Sequence, residues 1–116
     1  MPPKTHVFEY PPTANLYWRH VGPKVLISED AKRYRKNTAV RAMLSRIQII
    51  QGPVKIEIDL FRPIKSGDLD NRLKVLIDAL RGIAYADDKQ IVEIHARRFE
   101  DKTNPRAEVR IYEVKP

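Results

Sequence analysis

The clearest pattern along the chain is an alternation. Val54, Ile56, Ile58 and Leu60 alternate with Lys55, Glu57, Asp59 and Phe61, the period of a strand with one face buried. Pro63 ends the run, since proline cannot donate to a ladder. A helical period follows: Leu69, Leu73, Leu76 and Leu80 recur four, three and four residues apart. That spacing predicts a helix with a single narrow apolar stripe, and Gly82 supplies its stop. Upstream, Ser28 precedes Glu29 and Asp30, a capping side chain followed by acids that face the helix dipole. This helix is expected to run to about Arg46. It carries two stripes, Val40, Met43, Leu44 and Ile47 on one side and Ala31, Tyr34, Thr38 and Ala42 on another. Two stripes imply contacts on two sides, with the sheet and with a partner subunit. Gly52 and Pro53 close the segment.

Weaker signals complete the plan. Residues 5–10 alternate weakly and read as a first strand, ended by Pro11 and Pro12. Residues 13–27 read as a loop rich in aromatic and basic side chains, broken by Gly22 and Pro23. Residues 90–99 and 106–114 read as two further strands joined by residues 101–105. Their expected buried faces are Val92, Ile94 and Ala96, and Val109 and Ile111. The order β-α-β-α-β-β predicts an α+β domain, a mixed four-stranded sheet with two helices packed on one face.

Composition narrows the functional classes. A chain of 116 residues, 42% of them hydrophobic, suits one folded domain over residues 1–116 and is too apolar for a disordered segment. No apolar run approaches the ~20 residues that span a bilayer, and the start lacks the apolar stretch of a signal peptide. The absence of cysteine excludes disulfides and thiolate metal sites and fits a reducing, cytoplasmic setting. The net charge of +7 favours a polyanionic partner, most often nucleic acid. The basic residues are spread along the chain, which points to a folded basic face and not a terminal tail.

The chemistry is concentrated in Asp68, Asp70 and Lys74. On a helix, positions 68 and 70 point to opposite sides, whereas in an extended segment they point the same way. With the helix starting near Leu69, Asp68 lies in the extended approach and Asp70 in the first turn. Asp70, Lys74 and Asp78 share a face by i, i+4 spacing, away from the leucine stripe. A second acidic pair, Asp87 and Asp88, follows the helix after a short turn, and an antiparallel return can bring it close. Carboxylates gathered on a basic protein repel one another, and a divalent cation relieves that repulsion. Their hard oxygens suit Mg2+ or Mn2+, ions that also bind phosphate. Such an ion activates water and neutralises charge on a scissile phosphate, and Lys74 can stabilise the leaving oxygen. The plainer alternative stays open: helix-start acids facing the dipole, a turn at Asp87 and Asp88, and Lys74 paired with Asp70 or Asp78.

Asn15, Tyr17, Trp18, Arg19, His20 and Lys24 form an aromatic and basic stretch suited to stacking on bases and neutralising phosphates. The same aromatics can equally seal the core. His6 and His95 lie in strand patterns and need no functional role.

Two blocks together resemble the RusA-type Holliday-junction resolvases. The stretch from Pro11 to His20 is similar to the N-terminal signature of that family. Asp68, Leu69, Asp70 and Asn71, then Lys74, then Asp78, Ala79 and Leu80, then Asp87 and Asp88 are similar to its catalytic segment, in order and at matching length. The resemblance implies a homodimeric, Mg2+-dependent endonuclease that cuts four-way DNA junctions by paired incisions. It implies Asp68, Asp70 and Asp88 as metal-binding aspartates, Lys74 as the catalytic lysine, and Asp87 as an adjacent structural acid. The chain departs from the family at Ile77, where the catalytic helix carries an aromatic residue that acts at the junction centre. A two-fold dimer suits a junction of approximate two-fold symmetry, with recognition mainly of shape and backbone. Two other classes compete: a branched-DNA-binding module without catalysis, and a metal-dependent nuclease of other specificity. A small-molecule phosphohydrolase is disfavoured by the charge and the aromatic-basic stretch.

Overall fold

A computed structural model describes residues 4–12, 18–21, 24–27, 29–63 and 69–115, without the side chains of residues 18–21, 24–27, 70 and 71. In chain order the elements are β1 (His6–Phe8), β2 (Trp18–Val21), β3 (Lys24–Ile27), α1 (Glu29–Leu44), β4 (Val54–Arg62), α2 (Leu69–Leu80), a 3₁₀ turn (Asp88–Gln90), β5 (Ile91–Glu100) and β6 (Arg106–Glu113).

The alternation in β4 makes it the centre of a four-stranded sheet of order β1-β6-β4-β5. β6 pairs antiparallel with both β1 and β4, while β5 runs parallel to β4. A parallel pair needs a crossover, and α2 with the 3₁₀ turn supplies it. Val54, Ile56, Ile58 and Leu60 are buried with Ala31, Tyr34 and Ala42 of α1 and Val75, Leu76, Ala79 and Leu80 of α2. Both helices thus cover one face of the sheet, as the element order predicts. The other face, led by Lys55, Glu57 and Asp59, carries charged and aromatic side chains.

Three local expectations need correction, and the structure decides between the two stripes of α1. Within residues 13–27, β2 and β3 form an antiparallel hairpin rather than a loop, with Trp18 opposite Ile27 and Arg19 opposite Leu26. In α1 the small stripe of Ala31, Tyr34, Thr38 and Ala42 enters the core, while Val40, Met43 and Leu44 are 45%, 70% and 75% exposed. Ile47 alone of that larger stripe packs against the core. The stripe on α2 is wide, since Val75 and Ala79 are buried beside Leu76 and Leu80. On β5 the inward parity of Ile94 and Ala96 is right, opposite Ile56 and Ile58. Yet β5 is an edge strand, and Val92 and Ile94 remain 62% and 49% exposed. On β6, Val109 is buried and Ile111 packs against the core, as expected.

Candidate active site

The α2 helix places its acids and lysine by burying its apolar side. With Val75, Leu76, Ala79 and Leu80 in the core, position 74 is turned to solvent and Lys74 is exposed. No ion pair drawn among the described residues uses Lys74. Asp70 lies in the first helical turn, where a carboxylate is favoured by the dipole. Its side chain, and Asp68 altogether, lie outside the described residues. Asp78, one further turn along, meets Arg35 at 3.5 Å and ties α2 to α1. Ile77 is partly buried against the core.

The chain then reverses sharply. Gly82 takes φ of 83°, a left-handed conformation that a side chain would strain. Its N–H donates to the carbonyl of Tyr85 (2.7 Å), and Ile83 and Ala84 donate back to Leu80 (3.0 and 2.9 Å). This return buries Tyr85 completely and brings its hydroxyl to the Ile77 carbonyl, to which it donates at 2.6 Å. Burial, and then the negative charges of Asp88 and Asp78, push the Tyr85 proton affinity far up, so the hydroxyl stays a donor. The Tyr85 hydroxyl thus lies at the Ile77 level of α2, three residues before Asp88 in the chain. Lys74 is one turn nearer the start of the helix, and Asp70 lies about 10 Å of helical rise from Ile77.

The two adjacent acids divide their roles. Asp87 caps the 3₁₀ turn, accepting from the Lys89 N–H at 3.0 Å, and reaches Arg81 at 3.7 Å. The Lys89 N–H first, then a hydrogen bond shared with Asp88, holds the Asp87 carboxyl below the usual range. Gln90 completes the cap from the other side: its carbonyl oxygen accepts from the N–H groups of Ala86 (2.8 Å) and Asp87 (3.0 Å). Its amide nitrogen donates to the carbonyls of Ile50 (2.7 Å) and Gly52 (2.9 Å). Asp88, the first residue of the turn, is exposed. The structural part expected of Asp87 is therefore visible in its contacts.

Tyr85, Gln90 and Arg72 were not singled out by sequence. The Arg72 guanidinium donates to the Pro11 carbonyl at 2.7 Å and sits 5.0 Å from the Tyr10 ring centre. Through it the segment ending in Pro12 is fastened to α2 two residues after Asp70. The signal for Arg72 was only a basic residue amid an acidic motif. Of the aromatic-basic stretch, Trp18, Arg19, His20 and Lys24 lie on the hairpin, with their side chains outside the description, and Asn15 and Tyr17 lie outside the described residues. Among the described residues no three acids or histidines gather as a metal site. Of the trio Asp68, Asp70 and Asp88, only Asp88 has a described side chain, so the trio stands as an expectation.

The description of endodeoxyribonuclease RusA, as a family, matches residues 9–112 of the chain. The chain is 33% identical over 97 residues to the crossover junction endodeoxyribonuclease rusA of Enterobacteria phage HK97, covering 79% of each. It is 33% identical over 108 residues to the protein of the same name from Enterobacteria phage 82, covering 90% of each. The corresponding Escherichia coli K12 protein is 32% identical over 108 residues, again 90% of each.

Proposed function

The chain belongs to the RusA family of endodeoxyribonucleases, and on that premise we propose that it cuts four-way DNA junctions by paired phosphodiester incisions, using Mg2+. The observation that carries the reading is Asp88. It is an exposed acid on a turn that Tyr85 ties to α2, the helix that presents Lys74 to solvent, and that Gln90 ties to the Ile50 and Gly52 carbonyls.

The donor chemistry fits a hard divalent ion. Asp68, Asp70 and Asp88 would hold it with carboxylate oxygens alone, and no thiolate in the chain competes for a softer metal. When bound, Mg2+, or Mn2+ in its place, supplies an activated water and neutralises charge on the phosphate. The chain's own residues do the rest. Lys74 contacts the phosphate or the leaving oxygen. Asp70 belongs to the first turn of α2, the end of the helix that favours an acid. Asp87, Tyr85 and Gln90 keep Asp88 from drifting away from the helix. The hairpin residues Trp18, Arg19, His20 and Lys24, with Asn15 and Tyr17, contact the DNA.

A homodimer suits the paired cuts, since a two-fold assembly offers two symmetry-related sites to a two-fold substrate. The exposed Val40, Met43 and Leu44 on α1 support that reading.

The test is incubation of purified protein with a synthetic four-way junction, with and without Mg2+, against linear duplex as competitor. Symmetric nicks on the junction alone, appearing only with Mg2+ or Mn2+, are expected. Equal cutting of duplex would make it a nuclease of other specificity. Tight binding with no cutting in either metal would make it a non-catalytic junction binder.

A further inference from the structure

A cavity of about 440 Å³ opens at the carboxyl end of α1, its polar wall built from Lys4, His6, Ser45, Arg46 and Gln48. Isoleucine side chains form the remainder, and among the described residues no carboxylate lines it. A concave site with two cationic side chains and, among the described residues, no acid favours an anion.

The local structure explains how the cup is held. α1 ends with the Ile47 N–H on the Ala42 carbonyl (3.0 Å) and the Arg46 N–H on the Met43 carbonyl (3.1 Å). That pattern needs a left-handed residue between them, and Arg46 supplies it at φ of 62°. Glycine is free of strain there, whereas arginine carries a cost, so the guanidinium is present despite the backbone and not because of it. Lys4 donates to the Ser45 carbonyl at 3.3 Å, which engages one of its three N–H groups. The His6 Nδ1 and the Ser45 hydroxyl meet at 2.5 Å, fixing both against the wall. Burial first, and then the Lys4 charge, lower the proton affinity of His6.

Its position links it to the candidate active site. The segment that walls the cup with Ile47, Gln48 and Ile50 also offers the Ile50 and Gly52 carbonyls to Gln90. Ile50 further donates to the Ala84 carbonyl at 2.9 Å. One stretch of backbone thus separates the cup from the turn that carries Asp88.

We propose that this cup grips a non-scissile backbone phosphate of the DNA, holding one arm of the substrate beside the Asp88 turn. The proposal rests on the DNA-cleaving reading above. The ligand chemistry is a phosphate oxygen held by Lys4, Arg46 and the Ser45–His6 pair.

The test uses the full chain in metal-free buffer, with junction affinity read by fluorescence anisotropy across a salt series. Arg46→Gly removes the guanidinium while suiting the left-handed backbone, so the melting temperature should hold or rise. Combined with Lys4→Met it should weaken junction binding about tenfold and lower the log–log salt slope by about 0.9, the loss of one phosphate contact. Lys36→Gln, a single exposed charge removed from α1, should shift the slope by less. The His6 ring resonances should move on adding junction DNA, and inorganic phosphate alone should move them more weakly. A parent that binds junction while the double variant keeps its affinity and slope overturns the cup and leaves the nuclease reading standing. Equal losses in Lys36→Gln, or a His6 shift with inorganic phosphate but none with DNA, overturn it as well. A parent with no junction binding at all overturns both.

Discussion

Asp59 points away from the helices into the open face of the sheet, yet it is only 6% exposed. Arg97 meets it at 3.0 and 3.2 Å, and Arg110 meets it at 2.9 Å. Burial alone would raise its pKa, but the hydrogen bonds from Arg97 and Arg110 outweigh that and lower it. The folded state therefore prefers the ionised acid, and the unfolded chain takes up the proton first, near pH 3.9. The stability from Asp59 is complete above that value and is lost as pH falls through the lower folded pKa. Asp59→Asn should cost about 2 kcal/mol at neutral pH, a figure already reduced because Arg97 is largely exposed to screening solvent. Melting temperatures from pH 6 down to about 2 would check this: the parent should lose more on acidification than the variant, and parallel curves would contradict the assignment. A second contrast sits at the paired acids. Asp88→Asn should reduce cleavage on the order of 100-fold or more at an unchanged melting temperature. Asp87→Ala should lower the melting temperature and spare more of the activity, because its carboxylate serves the turn. Equal cleavage by Asp88→Asn and the parent would remove Asp88 from the site. Sequence showed these two acids as a pair, but only the hydrogen bonds tell them apart. The ladder of Asp59 with Arg97 and Arg110 was hidden because its members lie 38 and 51 residues apart.

At the scale of elements, the turn between α2 and β5 sets where Asp88 stands relative to α2. Two side chains hold it, Tyr85 from within and Gln90 from the flank. Tyr85→Phe removes one buried hydrogen bond and leaves the ring, so about 1 kcal/mol should be lost. Gln90→Ala removes the links to Ala86, Asp87, Ile50 and Gly52, and about 2 kcal/mol should go. Both variants should need more Mg2+ for half-maximal cleavage, since the Asp88 carboxylate is less well placed. Titrating the metal separates this from plain instability: a variant with reduced stability and an unshifted Mg2+ requirement would make the turn merely structural. The element order and the strand β4 were legible because periodicity reports parity directly. Coverage was not. Ile94 has inward parity, but β5 lies at the sheet edge beyond the helices, and period 2 says nothing of what lies above a strand. On α1 the two apolar stripes left open which one faces the sheet. The observed face is the smaller one, where Ala31, Thr38 and Ala42 let the helix approach and the Tyr34 hydroxyl donates to the Glu9 carbonyl at 2.9 Å. The hairpin was read as a loop because Gly22 and Pro23 interrupt two strands of only four residues each.

At the scale of the whole molecule, the exposed stripe on α1 bears on assembly. Val40, Met43 and Leu44 occupy i, i+3 and i+4, one side of the helix, and all three face solvent in the single chain. A domain with a net charge of +7 gains nothing from such a side unless another surface covers it. The charge works against self-association, so apolar contact has to overcome like-charge repulsion, and association should strengthen with salt while DNA binding weakens with it. Light scattering should report about twice the 13.5 kDa chain mass, more completely at high salt than at low. The double variant Met43→Glu, Leu44→Glu places two charges on the seam without touching the core, so each chain should stay folded and separate. If two sites acting together make the paired cuts, this variant should leave single nicks on a four-way junction and accumulate the half-cut species. The reading fails if the parent is a monomer at every salt concentration and still makes paired cuts. It fails equally if the double variant remains a dimer, for the seam would then lie elsewhere than on α1.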